Sequence, residues 1–143
     1  MKRTVLFAVI LMLLCSMTTV YGADEIKVIV NGRQVVSDVA AVISPSGSTM
    51  LPFRSIFNAL GVSDESIKWN PNSKSIEVRS GNQYIFLLIG NTGALINDSF
   101  ITLNAAPYIE NSKTLVPVRF VSEALGADVQ WNKETKTVTI TKR

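Results

Sequence analysis

The sequence of 143 residues contains no histidine and a single cysteine, Cys15. Without histidine, the chain cannot form a Ser-His-Asp or Cys-His catalytic arrangement or ligate a metal through imidazole. Cys15 closes an N-terminal apolar run, which permits a lipoprotein interpretation, but Leu14 stands before it where a lipoprotein peptidase requires a small residue. We therefore expect Cys15 to be removed with a leader, and we predict a protein that is not an enzyme and uses no cofactor.

Apolar runs of membrane-spanning length are also missing. Lys2 and Arg3 precede an apolar run over residues 5–14, and small and polar residues follow it, which is the order of a secretory signal peptide. That run is about half of the roughly 20 residues that a spanning helix needs. We predict a signal peptide over residues 1–22, a secreted or cell-envelope location, and no stable membrane insertion after the leader is removed.

Once the leader is excluded, the chain has almost no excess of charge of either sign. Removing Lys2 and Arg3 from the 14 basic residues leaves 12, against 11 acidic residues. No cluster of lysine and arginine remains that could follow a phosphate backbone, so nucleic acid is not an expected partner. Residues 23–143 suit one domain, and because they contain no cysteine, packing must supply the stability.

The strongest signal in the chain is a repeated segment. LPFRSIFNALG at residues 51–61 returns as VPVRFVSEALG at residues 116–126. Five positions are shared, and we predict them to be structural: Pro52, Arg54, Ala59, Leu60 and Gly61 in the first copy, and Pro117, Arg119, Ala124, Leu125 and Gly126 in the second. Each copy predicts a short helix, with proline at its first position and glycine in a left-handed conformation just past its end.

A tryptophan-containing hairpin follows each predicted helix. Residues 67–79 contain Trp69 and residues 129–141 contain Trp131, in strand-turn-strand patterns with alternating apolar residues. Between the two copies, the continuous apolar run at residues 84–89 predicts a strand buried on both faces. Asn31-Gly32 is a strong hairpin signal near the start.

These elements predict an α+β fold of about eight to ten short strands in antiparallel hairpins, with two short helices. The repeat indicates two half-repeats, at about residues 26–80 and 83–143, related by a pseudo-twofold. Halves of about 60 residues could hardly bury enough surface alone, so we expect them to share one core.

The repeated arginines and tryptophans each allow two interpretations. A cation near a helix start is disfavoured by roughly 0.3–1 kcal/mol, so Arg54 and Arg119 should have compensating partners. We favour bonds to backbone carbonyls or to a carboxylate of the neighbouring hairpin, and the alternative is capture of an anion with the helix N–H groups. Trp69 and Trp131 share a strand face with Ile67 or Val129, so we expect burial against the helix, with stacking on a sugar as the alternative.

Carboxylates could in principle support a glycosidase, which needs two acids flanking a bond. The candidates are Asp64, Glu65, Asp98, Glu110, Glu123 and Asp128, and all fall in predicted loops or at surface positions where solvated charge is expected. No acidic calcium-binding loop is present in the sequence. Asn97-Asp98-Ser99 matches a glycosylation acceptor, a pattern short enough to arise by chance.

The combination of two Pro-x-Arg…Ala-Leu-Gly helices with two Trp-Asn hairpins resembles the copper amine oxidase N-terminal-like domain, or stalk domain, of bacterial envelope proteins. MLPFR at residues 50–54 and VPVRFV at residues 116–121, each followed by Ala-Leu-Gly, carry this resemblance. The resemblance implies a non-catalytic module. The catalytic part of such oxidases uses histidine copper ligands and a tyrosine-derived quinone, and this chain has no histidine.

We therefore expect an exported envelope module that acts in structural support or in binding. The expected binding partner is a protein, such as a surface protein, or a cell-wall polymer. The alternatives are a carboxylate-based hydrolase, an inhibitor of a hydrolase, or a binder of anions or small ligands at the Pro-x-Arg helix starts. The sequence identifies no catalytic, metal-binding or ligand-binding residues.

Overall fold

The computed structural model describes residues 25–143, so the predicted leader and Cys15 lie outside the described residues. The described chain forms thirteen strands, two α-helices and one 3₁₀ turn at Asp64–Ser66. The helices are α1 (Phe53–Ala59) and α2 (Val118–Ala124). The strands are β1 (Lys27–Val30), β2 (Arg33–Gln34), β3 (Val42–Ile43), β4 (Thr49–Pro52), β5 (Ile67–Asn70), β6 (Ser75–Ser80), β7 (Gln83–Leu88), β8 (Gly93–Ile96), β9 (Ser99–Thr102), β10 (Tyr108–Glu110), β11 (Lys113–Pro117), β12 (Asp128–Asn132) and β13 (Thr137–Thr141).

The strands pair into three sheets. Their orders are β12-β13-β1-β2, β10-β11-β4-β3 and β5-β6-β7-β8-β9. The sequence prediction of an α+β fold with antiparallel hairpins is confirmed. The described chain has thirteen strands, more than the eight to ten expected, and β2, β3 and β10 are only two or three residues long. The pairing of β1 with β13 is parallel and was not predicted; it joins the two ends of the described chain.

The two helices begin one residue later than predicted. Pro52 and Pro117 are each the last residue of a strand, with ψ of 131° and 117°, and the helix starts at the residue after the proline. The predicted first-position prolines are therefore wrong by one position, because both residues still belong to paired strands.

Both helices end as the glycines predict. Gly61 has φ of +85° and Gly126 has φ of +80°, a conformation that strains any side-chain-bearing residue. After α1, the N–H of Gly61 donates to Asn58 O and that of Val62 donates to Phe57 O, which is a Schellman motif. The corresponding bonds recur after α2. Lys142 Nζ also donates to Leu60 O at 2.9 Å, so the end of the chain covers a carbonyl of the first helix.

The two repeated segments lie side by side through β4 and β11. Leu51 pairs with Val116, its counterpart in the repeat, while Met50 pairs with Pro117. The hairpins that follow differ in their surroundings, since β6 pairs with β7 antiparallel while β13 pairs with β1 parallel. A pseudo-twofold relation of the complete halves therefore stays a prediction.

The main core combines side chains from both halves in one cluster. Val28, Phe57 and Ile85 come from the first part of the chain and its centre, and Val121 and Ile140 come from the second. The expected shared core is present in this cluster.

Strand β7 differs from its sequence prediction. Ile85 and Leu87 are fully buried, whereas Tyr84, Phe86 and Leu88 are only partly buried. The predicted burial on both faces is wrong, because a continuous apolar run here still alternates between the core and a sheet face that solvent reaches.

Candidate functional site

In the first copy of the repeat, the tryptophan is partly covered by a neighbouring aromatic side chain. Phe53 and Trp69 lie with ring centroids 6.4 Å apart, and Trp69 packs against the main core. The guanidinium carbon of Arg54 lies 5.1 Å from the centroid of the Phe53 ring. Arg54 Nη1 also donates to Asp64 Oδ1 at 3.2 Å. Because Arg54 already has a carboxylate and a ring as partners, it matches the structural interpretation, which stays a prediction until a substitution tests it.

In the second copy, the tryptophan is exposed to solvent. Val118 stands where the first copy has Phe53, so Trp131 has no equivalent ring against which to stack and is 41% exposed. Arg119 Nη1 donates to Val129 O at 3.2 Å and to Glu123 Oε1 at 3.3 Å, which compensates a cation near the start of α2. The expected burial of tryptophan against the helix therefore describes Trp69 and is wrong for Trp131.

The remaining repeated residues belong mainly to the frame. Leu60 and Leu125 lie in the core, and Pro52, Pro117 and Ala124 are buried, whereas Ala59 is exposed. The two glycines end the helices. The structural assignment of these positions agrees with the places they occupy, and their individual contributions stay predictions.

A groove of about 940 Å³ opens beside Trp131, and we call it the α2 groove. One wall is the segment 101–104 at and after the end of β9, and another is formed by Ile43 and the turn at residues 46–49. The rest comes from Ile26, from Pro117 and α2, and from β12, β13 and the turn between these two strands. Ile43 and Ile101 are 45% and 37% exposed, so the groove offers apolar side chains to solvent together with Trp131.

The α2 groove carries more positive than negative charge. Its charged lining residues are Arg119, Lys133, Lys136 and Glu123. Among the described residues that line it, Glu123 supplies the one carboxylate, and that carboxylate is bound by Arg119. Glycoside hydrolysis needs two carboxyl groups about 5–10 Å apart across the bond. The described lining of the α2 groove therefore does not contain the pair of acids that this reaction uses.

The predicted acidic candidates do not converge on this groove. All six are exposed, and Asp64 pairs with Arg54 while Glu123 pairs with Arg119. Within residues 25–143, no group of three or more histidine, cysteine or acidic side chains could hold a metal ion. Copper bound by histidine does not fit this chain, because the sequence contains no histidine.

Two pKa shifts mark positions outside the groove. A hydrogen bond from Lys113 lowers the pKa of Asp38, with Nζ and Oδ2 2.7 Å apart. Burial, together with the nearby Glu110 carboxylate, raises the pKa of Tyr108. Neither group lines the α2 groove: the lowered pKa of Asp38 reflects its surface ion pair with Lys113, and the raised pKa of Tyr108 reflects burial of that side chain.

The predicted glycosylation acceptor and membrane behaviour concern other parts of the surface. Asn97 uses both ends of its amide, accepting from Tyr84 N at 2.9 Å and donating to Gln83 Oε1 at 3.0 Å. Neither α1 nor α2, the α-helices among the described residues, has the length and apolarity needed to cross a membrane.

Sequence reasoning missed Ile43 and Ile101 as groove residues. For the exposure of Trp131, the sequence did contain a signal: the second copy has Val118 where the first has Phe53, although both copies have the tryptophan. The approach of residues 43, 101 and 131 depends on contacts between distant segments, which local patterns do not encode.

Comparison with known proteins gives two findings. A family model described as the copper amine oxidase N-terminal domain matches residues 29–140. A protein of Brevibacillus choshinensis named "Protease inhibitor" is 33% identical over 115 residues, which cover 80% of this chain and 34% of that relative. The chain thus spans about a third of the length of that relative.

Proposed function

Because this chain belongs to the copper amine oxidase N-terminal domain family, we propose that it acts as a non-catalytic module that binds a polypeptide partner. The α2 groove is the observation that carries this proposal. It presents Trp131, Ile101 and Ile43 to solvent beside a set of charged side chains. Aromatic side chains in a partly apolar cleft are common anchors of protein interfaces.

The comparison with the Brevibacillus choshinensis protein favours a polypeptide over a cell-wall polymer. A protease inhibitor, by its name, acts on a protein, and the similarity covers 80% of this chain. We therefore place proteases first among the partners to test, with wall polymer as the competing class.

Export belongs to the proposal as well. The basic, apolar and small-residue order of residues 1–22 favours a signal peptide and a secreted or cell-envelope location. This part stays a prediction, since residues 1–24 lie outside the described range.

Binding to an immobilised sample of the purified protein tests the proposal, with subtilisin, trypsin, unfolded casein and purified peptidoglycan as probes. We expect at least one of the polypeptides to bind. Trp131→Ala should weaken that binding about 30-fold, because removing an interface anchor typically costs 2 kcal/mol or more. Ile109→Ala is the matched control, since Ile109 is 47% exposed and does not line the α2 groove.

Retention of peptidoglycan alone would overturn the polypeptide assignment in favour of a wall-binding module. If a polypeptide binds and Trp131→Ala does not change its affinity, the interface lies elsewhere and the α2 groove is not the binding site.

A further inference from the structure

The edges of the three sheets are protected unequally. Among the described strands, six lie at sheet edges, and four of these contain a charged residue: β2 has Arg33, β5 has Lys68, β10 has Glu110 and β12 has Asp128. Charged edge residues discourage pairing with a strand of another chain. Strands β3 and β9 have no charged residue, and β3 is only two residues long.

Strand β9 offers backbone groups for a further strand. All four of its residues are exposed, and Phe100 is 78% exposed. Leu103 N donates to Thr92 O at 2.7 Å, across from β8. Since antiparallel pairing alternates, the N–H and C=O groups of Phe100 and Thr102 point away from β8, towards the edge.

The two uncharged edges border the same groove. Ile43 of β3 and the segment 101–104 at and after the end of β9 both line the α2 groove, as Trp131 does. A strand added to the free edge of β9 would lie about 4.8 Å from it and would pass the groove residues Ile101 and Thr102.

The charge of the groove narrows the chemistry of this segment. Three basic side chains and one carboxylate line it, and the carboxylate is paired with Arg119. A segment that brings acidic or uncharged residues is therefore favoured over a basic one.

We propose that the partner is an extended polypeptide segment, acidic or uncharged, that adds as a strand to the edge of β9 and directs apolar side chains towards Trp131 and Ile43. Backbone pairing supplies affinity in this mode, and the pockets for alternate side chains supply specificity. The inference rests on the proposed function, since it specifies how a polypeptide occupies the α2 groove.

The first test uses a fluorescein-labelled peptide of alternating valine and threonine with a glutamate at each end, measured by fluorescence anisotropy. Thr102→Pro removes an N–H that points away from β8, a position where a strand tolerates proline. We expect it to weaken binding about tenfold or more, since it removes a backbone hydrogen bond and obstructs the added strand. Ile109→Pro is the matched control: it removes an N–H that points away from β11 on the edge strand β10, outside the α2 groove, and should bind as the unchanged protein does.

Hydrogen exchange followed by NMR gives a readout that needs no variant. On addition of the peptide, the amides of Phe100 and Thr102 should exchange more slowly, while Ser99 and Ile101, which face β8, should change little. A peptide that is N-methylated at alternate residues should cause no such protection, because it lacks the donors that pair with β9.

Three outcomes would overturn strand addition. The first is that the peptide leaves the exchange rates of the Phe100 and Thr102 amides unchanged and binds Thr102→Pro as tightly as the unchanged protein. If Trp131→Ala still weakened binding in that case, the proposed function would survive. Absence of peptide binding would also reject this mode, and the casein and protease probes would decide the proposed function separately. A dimer seen by sedimentation and abolished by Thr102→Pro would assign the edge to a second copy of the chain.

Discussion

Phe57→Ala should lower the free energy of unfolding by about 3–5 kcal/mol, the usual cost of truncating a buried phenylalanine to alanine. Phe57 is the largest fully buried side chain of the described residues, and α1 inserts it into the core that both halves share. The surrounding side chains can relax only partly, so a cavity adds to the lost transfer free energy. Urea unfolding followed by circular dichroism should show a lower midpoint with an unchanged slope.

Ser122→Ala is the matched control, because Ser122 occupies the corresponding position of the second copy. It is also fully buried, and its Oγ donates to Val118 O at 2.7 Å within α2. Alanine preserves the helix and removes one local hydrogen bond, so the free energy of unfolding should change by about 1 kcal/mol or less. Equal losses at both positions would contradict the unequal contributions of the two helices to the core.

Ile140→Ala should be nearly as damaging, lowering the free energy of unfolding by about 2–5 kcal/mol. Ile140 is fully buried, and its strand β13 lies between β12 and β1. It stands opposite Val30 in the parallel pair that joins the first and second halves. Since the core is shared, the variant should still unfold in one transition when thermal unfolding is followed by calorimetry.

Thr139→Ala provides the control on the same strand. Thr139 points to the opposite, exposed face, so its replacement should change stability by about 1 kcal/mol or less. Two separate transitions in Ile140→Ala, with one half remaining folded, would contradict the shared core.

The elements that the sequence predicted well are those with local signals. Gly61 and Gly126 mark the helix ends because each must adopt a positive φ, and Asn31-Gly32 marks the first hairpin for the same reason. The hairpins around Trp69 and Trp131 follow from alternation over a few residues. The family resemblance rests on these same segments and is confirmed by the match over residues 29–140.

The elements that it missed depend on distant contacts. The parallel pairing of β1 with β13 brings Lys27 opposite Thr137, and no short pattern specifies that approach. The burial of β7 was overestimated, because an apolar run does not reveal which sheet face remains uncovered.

The candidate site lies between these two cases. The loss of an aromatic ring from position 53 to position 118 is visible in the sequence and explains why Trp131 is open. Its combination with Ile43 and Ile101 into one groove requires the folded chain. The two copies thus share their helix and hairpin, whereas the difference between Phe53 and Val118 leaves only the tryptophan of the second copy exposed.

Fluorescence of single-tryptophan variants tests this asymmetry most directly. In Trp69→Phe, the remaining Trp131 should be quenched strongly by acrylamide, and a bound polypeptide should reduce the quenching. In Trp131→Phe, the remaining Trp69 should be quenched less, because it packs against Phe53 and the core, and the polypeptide should leave it unchanged. Equal quenching of the two tryptophans, or protection of Trp69 instead of Trp131 by the bound polypeptide, would contradict the claim that the second copy forms the binding site.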